Sequence, residues 1–187
     1  MSDTYKVTGI KDAQLLYLLS GAIEELDIPF GNAFSAEVEA EEIEFEGDNT
    51  KDTLYSNQTL KGTVGFDKWS EAVLEKLYNK TAVTSGLEAD EAKRYYMGDD
   101  GELAPPNIGF KVTLAAVNDA TEVAAELRLM VFIAKASPFK PPEAKNADKW
   151  APVEVEWTAE KTSTDLAGAA LPGVPTGGAM YSISILS

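Results

Sequence analysis

From Ile108 the chain alternates: Ile108, Phe110, Val112, Leu114 and Ala116 are apolar at every second position. A period of two sends successive side chains to opposite faces, which is the pattern of a strand buried on one side. Leu127, Leu129, Val131 and Ile133 repeat it, and the two runs read as a hairpin. The second run also carries Met130 and Phe132 on its other side. That strand is expected to be covered twice, by the core and by a helix or a neighbour. The same period returns in Leu60, Gly62, Val64 and Phe66, in Val153, Val155, Trp157 and Ala159, and in Tyr181, Ile183 and Ile185.

Residues 34–46 carry the period with an irregularity. Phe34, Ala36, Val38 and Ala40 are in one phase, whereas Ile43 and Phe45 are in the other. A β-bulge at Glu41-Glu42 would restore the register and collect Glu37, Glu39, Glu42, Glu44 and Glu46 on one face. Residues 10–28 leave helix and strand unseparated. The one helix is expected over 68–79, with Asp67 as N-cap and Trp69, Val73, Leu74, Leu77 and Tyr78 on a single stripe. Residues 47–58 are polar and read as a turn and a loop, 80–90 as a loop, and 98–101 as a turn, with a strand allowed at 94–97. Residues 137–152 hold four prolines and form a stiff connection. The Gly, Ala and Pro content of 166–178 predicts a flexible arm before the last strand. The fold class is therefore mainly β: an antiparallel sandwich or barrel of about seven strands with one flanking α-helix. The whole of 1–187 reads as one domain with a flexible N-terminal segment and a C-terminal arm over about 166–187.

Composition excludes much chemistry. There is no histidine and no cysteine, which removes Ser-His-Asp and Cys-His catalysis, thiolate metal sites and disulfides. The 31 Asp and Glu against 16 Lys and Arg give a net charge of −15, which opposes tight binding to phosphate backbones. Gly47-Asp48-Asn49 and Asp99-Asp100-Gly101-Glu102 cluster oxygen ligands, but neither has the spacing of a calcium loop, and these are ordinary turn residues. Glu154/Glu156 and Glu42/Glu44 resemble a glycosidase carboxylate pair, yet i and i+2 positions on any acidic strand face do the same. Gly62-Thr63-Val64-Gly65 lacks what a phosphate loop requires. No cofactor or metal is expected. The first residues show no basic-then-apolar leader, and no apolar run is long enough to span a bilayer. The alternative to a structural role is a monomeric acidic β-sandwich binding module, with or without calcium.

The order of parts carries a resemblance. A Glu-rich strand leads to a turn (Glu44-Phe45-Glu46-Gly47-Asp48-Asn49), and a later strand leads straight into an amphipathic segment (Thr59 to Trp69). A hairpin strand then ends in Ser137-Pro138-Phe139-Lys140-Pro141 before the acidic strand from Val153 to Lys161. Over residues 34–166 this order resembles the major tail proteins of siphophages, without the appended immunoglobulin-like domain that some of them carry.

The resemblance implies a non-enzymatic tail-tube subunit, a β-sandwich flanked by a helix. Copies would stack as rings, typically hexamers, around a negatively charged bore that conducts DNA during ejection. Glu37, Glu39, Glu42, Glu44 and Glu46 are the candidate lumen-lining residues, with Glu154 and Glu156 as the rival set. Asp48, Asn49, Lys51 and Asp52 are the candidate inter-ring loop. The implied partners are other copies of the chain and the tape measure, tail terminator and distal tail proteins. DNA would pass without tight binding and no membrane would be involved. The implied location is the virion tail, after synthesis in the cytoplasm of a bacterial host.

Overall fold

The structure, a computed structural model, describes residues 4–28, 33–47, 50–66, 70–97, 104–140 and 153–186; the side chains of 42–47 and 50–56 lie outside that description. Among the described residues the chain forms eight antiparallel strands and one helix. They are β1 (Tyr5–Leu19), β2 (Ala22–Asp27), β3 (Ala33–Gly47), β4 (Thr50–Phe66), α1 (Glu71–Tyr78), β5 (Ile108–Asn118), β6 (Ala124–Ala136), β7 (Val153–Ala159) and β8 (Tyr181–Leu186). The mainly β class with one helix is thus as expected.

Strand order is β2-β1-β5-β6-β7-β4-β3, with β8 joined to β6. β6 explains how this path becomes two layers. Over Glu126–Val131 its free side pairs with β8, and over Ala134–Ala136 it pairs with β7. Between them, Phe110 faces Val131 but Ile108 faces Ala134, so β6 has one more residue than β5. This bulge bends the strand and turns it from one layer to the other. Gly109 lies opposite the bulge, where an added Cβ would come within 2.8 Å of the Val131 carbonyl oxygen. A larger residue would block the bend. The bulge also moves Ile133 out of the simple alternation expected of this hairpin.

The first layer is β2-β1-β5-β6-β8 and the second is β7-β4-β3. Aromatic contacts between the layers show that they face each other. Phe34 on β3 lies 5.7 Å from Phe110 on β5, and Phe110 lies 5.1 Å from Trp157 on β7. Trp157 fits because its cross-strand neighbours are small: Ala136 on β6 and Gly62 on β4. A Cβ on Gly62 would sit 2.3 Å from the indole and 2.0 Å from the Ser35 carbonyl oxygen. Leu15, Val112, Val131, Val64 and Val155 complete the centre of the core.

Helix α1 packs Val73, Leu74, Leu77 and Tyr78 into that core, as the stripe predicts. Its cap is Ser70, whose hydroxyl accepts the Val73 N–H; Asp67 and Trp69 lie outside the described residues. Asn79 closes the helix in the left-handed region. The ambiguous 10–28 segment is the β1–β2 hairpin, turning at Ser20 and Gly21, both with positive φ. Residues 94–97 form no strand; their β pairing is the isolated Val83–Arg94 bridge.

Two segments depart from expectation more sharply. Residues 50–58 are not a loop, since β4 pairs with β3 from Thr50 onward. Residues 160–180 are not a free arm. Bridges Thr162–Ala179 and Thr164–Ala170 fold the segment back on itself, and Met180 is buried.

Candidate functional site

Directly opposed residues on neighbouring antiparallel strands share a face. On β7, Glu154 and Glu156 alternate with buried Val153, Val155 and Trp157, so they point away from the core. Glu156 is opposite Thr63 on β4, and Thr63 is opposite Ser35 on β3. Lys61 on β4 is opposite both Thr158 on β7 and Glu37 on β3. One face of the second layer therefore carries Glu37, Glu39, Glu154 and Glu156. The two sets of glutamates that sequence alone treats as rivals are neighbours on a single sheet.

Lysines answer part of this acid. Lys61 Nζ lies 2.6 Å from Glu39, and Lys140 Nζ lies 2.6 Å from Glu156. These pairs are exposed and worth little to stability. Among the described residues, Glu37 and Glu154 have no ion-pair partner. Glu41, which the sequence reading passes over, is exposed and accepts a 2.7 Å hydrogen bond from Asn57.

The register irregularity in β3 is not at Glu41-Glu42. Glu39 faces Thr59 and Glu41 faces Ser56, two steps on β3 against three on β4. The extra residue belongs to β4, where Asn57 has φ 48°. β3 itself gains no residue, so the bulge invoked to bring Glu42, Glu44 and Glu46 onto the face of Glu37 is absent from that strand. The side chains of those three glutamates lie outside the described residues, as do Asp48 and Asn49 altogether. Lys51 and Asp52 belong to β4 by backbone, opposite Glu46 and Phe45, and their side chains are likewise outside the description.

β7 covers β4 only over Leu60–Phe66. Beyond it, β3 and β4 continue as a two-stranded ribbon bearing the remaining glutamates of β3. Among the described residues, β2, β3 and β8 each have a single neighbouring strand. Unpaired edges are where chains add to one another.

A separate cluster ties residues 80–97 to α1. Lys93 donates to Glu71 at 2.5 Å, and the Tyr95 hydroxyl donates to Glu75 at 2.7 Å. The Lys93 hydrogen bond holds the Glu71 carboxyl below its ordinary value, and the Glu75 carboxylate pushes the Tyr95 phenol up to about 12. Among the described residues no group of three carboxylates converges as a metal site.

No protein-family model matches the chain, and no curated protein matches it. Among solved structures it is similar to a chain in an extracellular contractile injection system, the PVC sheath–tube complex in its extended state. The identity is 13%, the TM-score is 0.43, and the match covers 80% of this chain and 84% of that one. It is also similar to a chain in the baseplate of the anti-feeding prophage, with 14% identity, a TM-score of 0.36, and coverage of 84% of this chain and 91% of that one.

Proposed function

We propose that this chain is a structural, non-catalytic subunit of a phage tail-tube-like assembly. Copies close into rings that stack, six to a ring on the resemblance to siphophage major tail proteins. The outer face of β7-β4-β3 lines the bore. One observation carries this reading: the strand register gathers Glu37, Glu39, Glu154 and Glu156 on one solvent-facing side of a sheet whose other side is core. Like charges in one patch repel, and in a monomer this concentration serves no packing purpose. In a channel it lets a polyanion pass without adhering, because lysine–phosphate contacts supply most non-specific DNA affinity. Six chains at −15 each bring −90 formal charges to a ring. The lysine pairing of Glu39 and Glu156 takes up the positive groups on the face before DNA can. The absence of histidine and cysteine fits a role without catalysis.

The β3–β4 ribbon, which runs on past the end of β7, is suited to reach the next ring. Tape measure, tail terminator and distal tail proteins are the partners such a tube would meet. The test is direct. Purified chain examined by sedimentation velocity and negative-stain imaging should form stacked rings with an open bore. A protein that stays monomeric across micromolar to millimolar concentration overturns the reading.

A further inference from the structure

The first layer has an unfinished rim. Ile183 and Ile185 on β8 are 64% and 59% exposed. They are opposite Leu129 and Leu127 on β6, which are in turn opposite Val112 and Leu114 on β5. Val112 is fully buried, so the isoleucines lie on the core side of the sheet, past the cover that the second layer gives. On the other face of the same rim, Arg128 is opposite Ser184. Its Nε is buried with no hydrogen-bond partner, and among the described residues no carboxylate pairs with it.

The β3 edge of the second layer has the complementary pattern. Val38, on its core side, is 41% exposed. Glu37, on its outer side, is exposed and has no ion-pair partner among the described residues. We propose that β3 of one copy adds to β8 of the next, antiparallel, with Val38 opposite Ile183 and Glu37 opposite Ser184. This rests on the reading that the chain self-assembles and names the seam between adjacent subunits.

That single register satisfies both faces at once. Ala36 then falls opposite Ile185, so the apolar sides of the two sheets run on into each other. On the outer side Glu37 and Arg128 flank the small Ser184. They are two strand spacings apart, about 10 Å between backbones, a span that two extended side chains close from either side. A bidentate carboxylate–guanidinium pair results, and it satisfies the orphaned Arg128 Nε. The joint uses two different edges, so it is head-to-tail and propagates around a ring. The β2 edge fits less well, since its core side places Glu24 between Ala22 and Leu26.

Because the chain has no cysteine, the seam can be tested by disulfide trapping. Val38→Cys and Ile183→Cys variants are prepared separately, mixed, assembled and oxidised. The mixture should give a covalent dimer on non-reducing gels, and either variant alone should not. A crosslink in one variant alone, or none in fully formed assemblies, overturns the seam while leaving self-assembly standing. If wild-type protein forms no assemblies at all, self-assembly fails and the seam with it. The charge pair gives a second readout. Arg128→Glu or Glu37→Arg should raise the concentration needed for assembly at least tenfold, and the double exchange should restore it. Two defective single variants with no rescue in the double overturn the Glu37–Arg128 contact.

Discussion

The two layers of this sandwich are built from the same pleat and completed in different ways. In β7-β4-β3 the core side is closed within the chain up to the β3 edge, where Val38 is exposed. Trp157 lies across a row of small residues, Ala136, Gly62 and Ala36, and stacks on Phe34 at 5.5 Å. In β2-β1-β5-β6-β8 the core side is closed at its centre and open at its rim, where two isoleucines of β8 face solvent. The outer sides differ as well. That of β7-β4-β3 is crowded with glutamates, whereas that of β2-β1-β5-β6-β8 interleaves Lys11–Glu126 and Lys111–Glu25 pairs. One layer is finished as a folding unit. The other holds apolar surface in reserve, which a lone small domain has no reason to expose in one place.

The largest expected effect breaks the finished layer. Trp157→Ala removes a 1% exposed indole from among small neighbours that cannot fill the space, and should cost about 3–5 kcal/mol in denaturant unfolding. Gly62→Ala approaches the same contact from the opposite side by overpacking, at about 1–3 kcal/mol. At the rim, Ile183→Ser with Ile185→Ser should leave monomer stability within about 0.5 kcal/mol of wild type while abolishing assembly in sedimentation. Equal losses of stability at Trp157 and at the two isoleucines would erase the distinction between the layers.

A smaller effect tests the outer faces. Glu39→Lys with Glu154→Lys places two cations on the assigned bore at sites from different strands. Assembled tubes should then retain DNA against nuclease, with affinity up by about tenfold or more at low salt and falling steeply as salt rises. The same double reversal at Glu25 and Glu126, on the other layer, is the comparison. If both layers respond alike, the acidic face is not the bore.

The sequence makes the strands themselves legible, because burial on one side of a pleat writes a local period of two. β5, β7 and β8 could be read this way, and so could the buried stripe of α1. It fails where pairing rather than burial makes the strand. Residues 50–58 carry no apolar repeat, yet they are β4, held by backbone bonds to β3. It fails again at the bulge. The phase shift within β3 suggests an inserted residue there, but only the partner strand shows that Asn57 supplies it. Asn is among the residues that tolerate a positive φ, a signal present but weak. Glycine and proline in 166–178 suggest freedom, and the bridges Thr162–Ala179 and Thr164–Ala170 remove it. Between Leu19 and Ala22, Ser20-Gly21 is a turn signal that could have settled the β1–β2 hairpin. The candidate glutamates were visible one strand at a time. That Glu154 and Glu37 share a face depends on β4 lying between β7 and β3, contacts far apart in sequence. No local pattern marks Arg128 as unpartnered.

The smallest effect belongs to a region that supplies no strand to either layer, and it serves as their control. Residues 80–97 are tied to α1 through Lys93–Glu71 and Tyr95–Glu75. Glu71 has a lowered folded pKa, first through its hydrogen bond from Lys93, so its contribution is complete above the ordinary glutamate range and fades as pH falls through the lowered value. Tyr95 runs the other way. Its folded pKa is raised to about 12, first by the Glu75 carboxylate that accepts its hydrogen bond, so its contribution is complete below the ordinary tyrosine pKa of 10.0 and fades as pH climbs toward 12. The tether therefore holds across the neutral range and loosens at both extremes. Absorbance titration of wild type and Tyr95→Phe should differ by one late-ionising tyrosine, lost in the variant. The same variant should speed hydrogen exchange across 80–97 and leave both assembly and DNA retention at wild-type levels. A Tyr95→Phe protein that no longer assembles would place this segment at a subunit contact, and the division between a finished layer and an open rim would need a third surface.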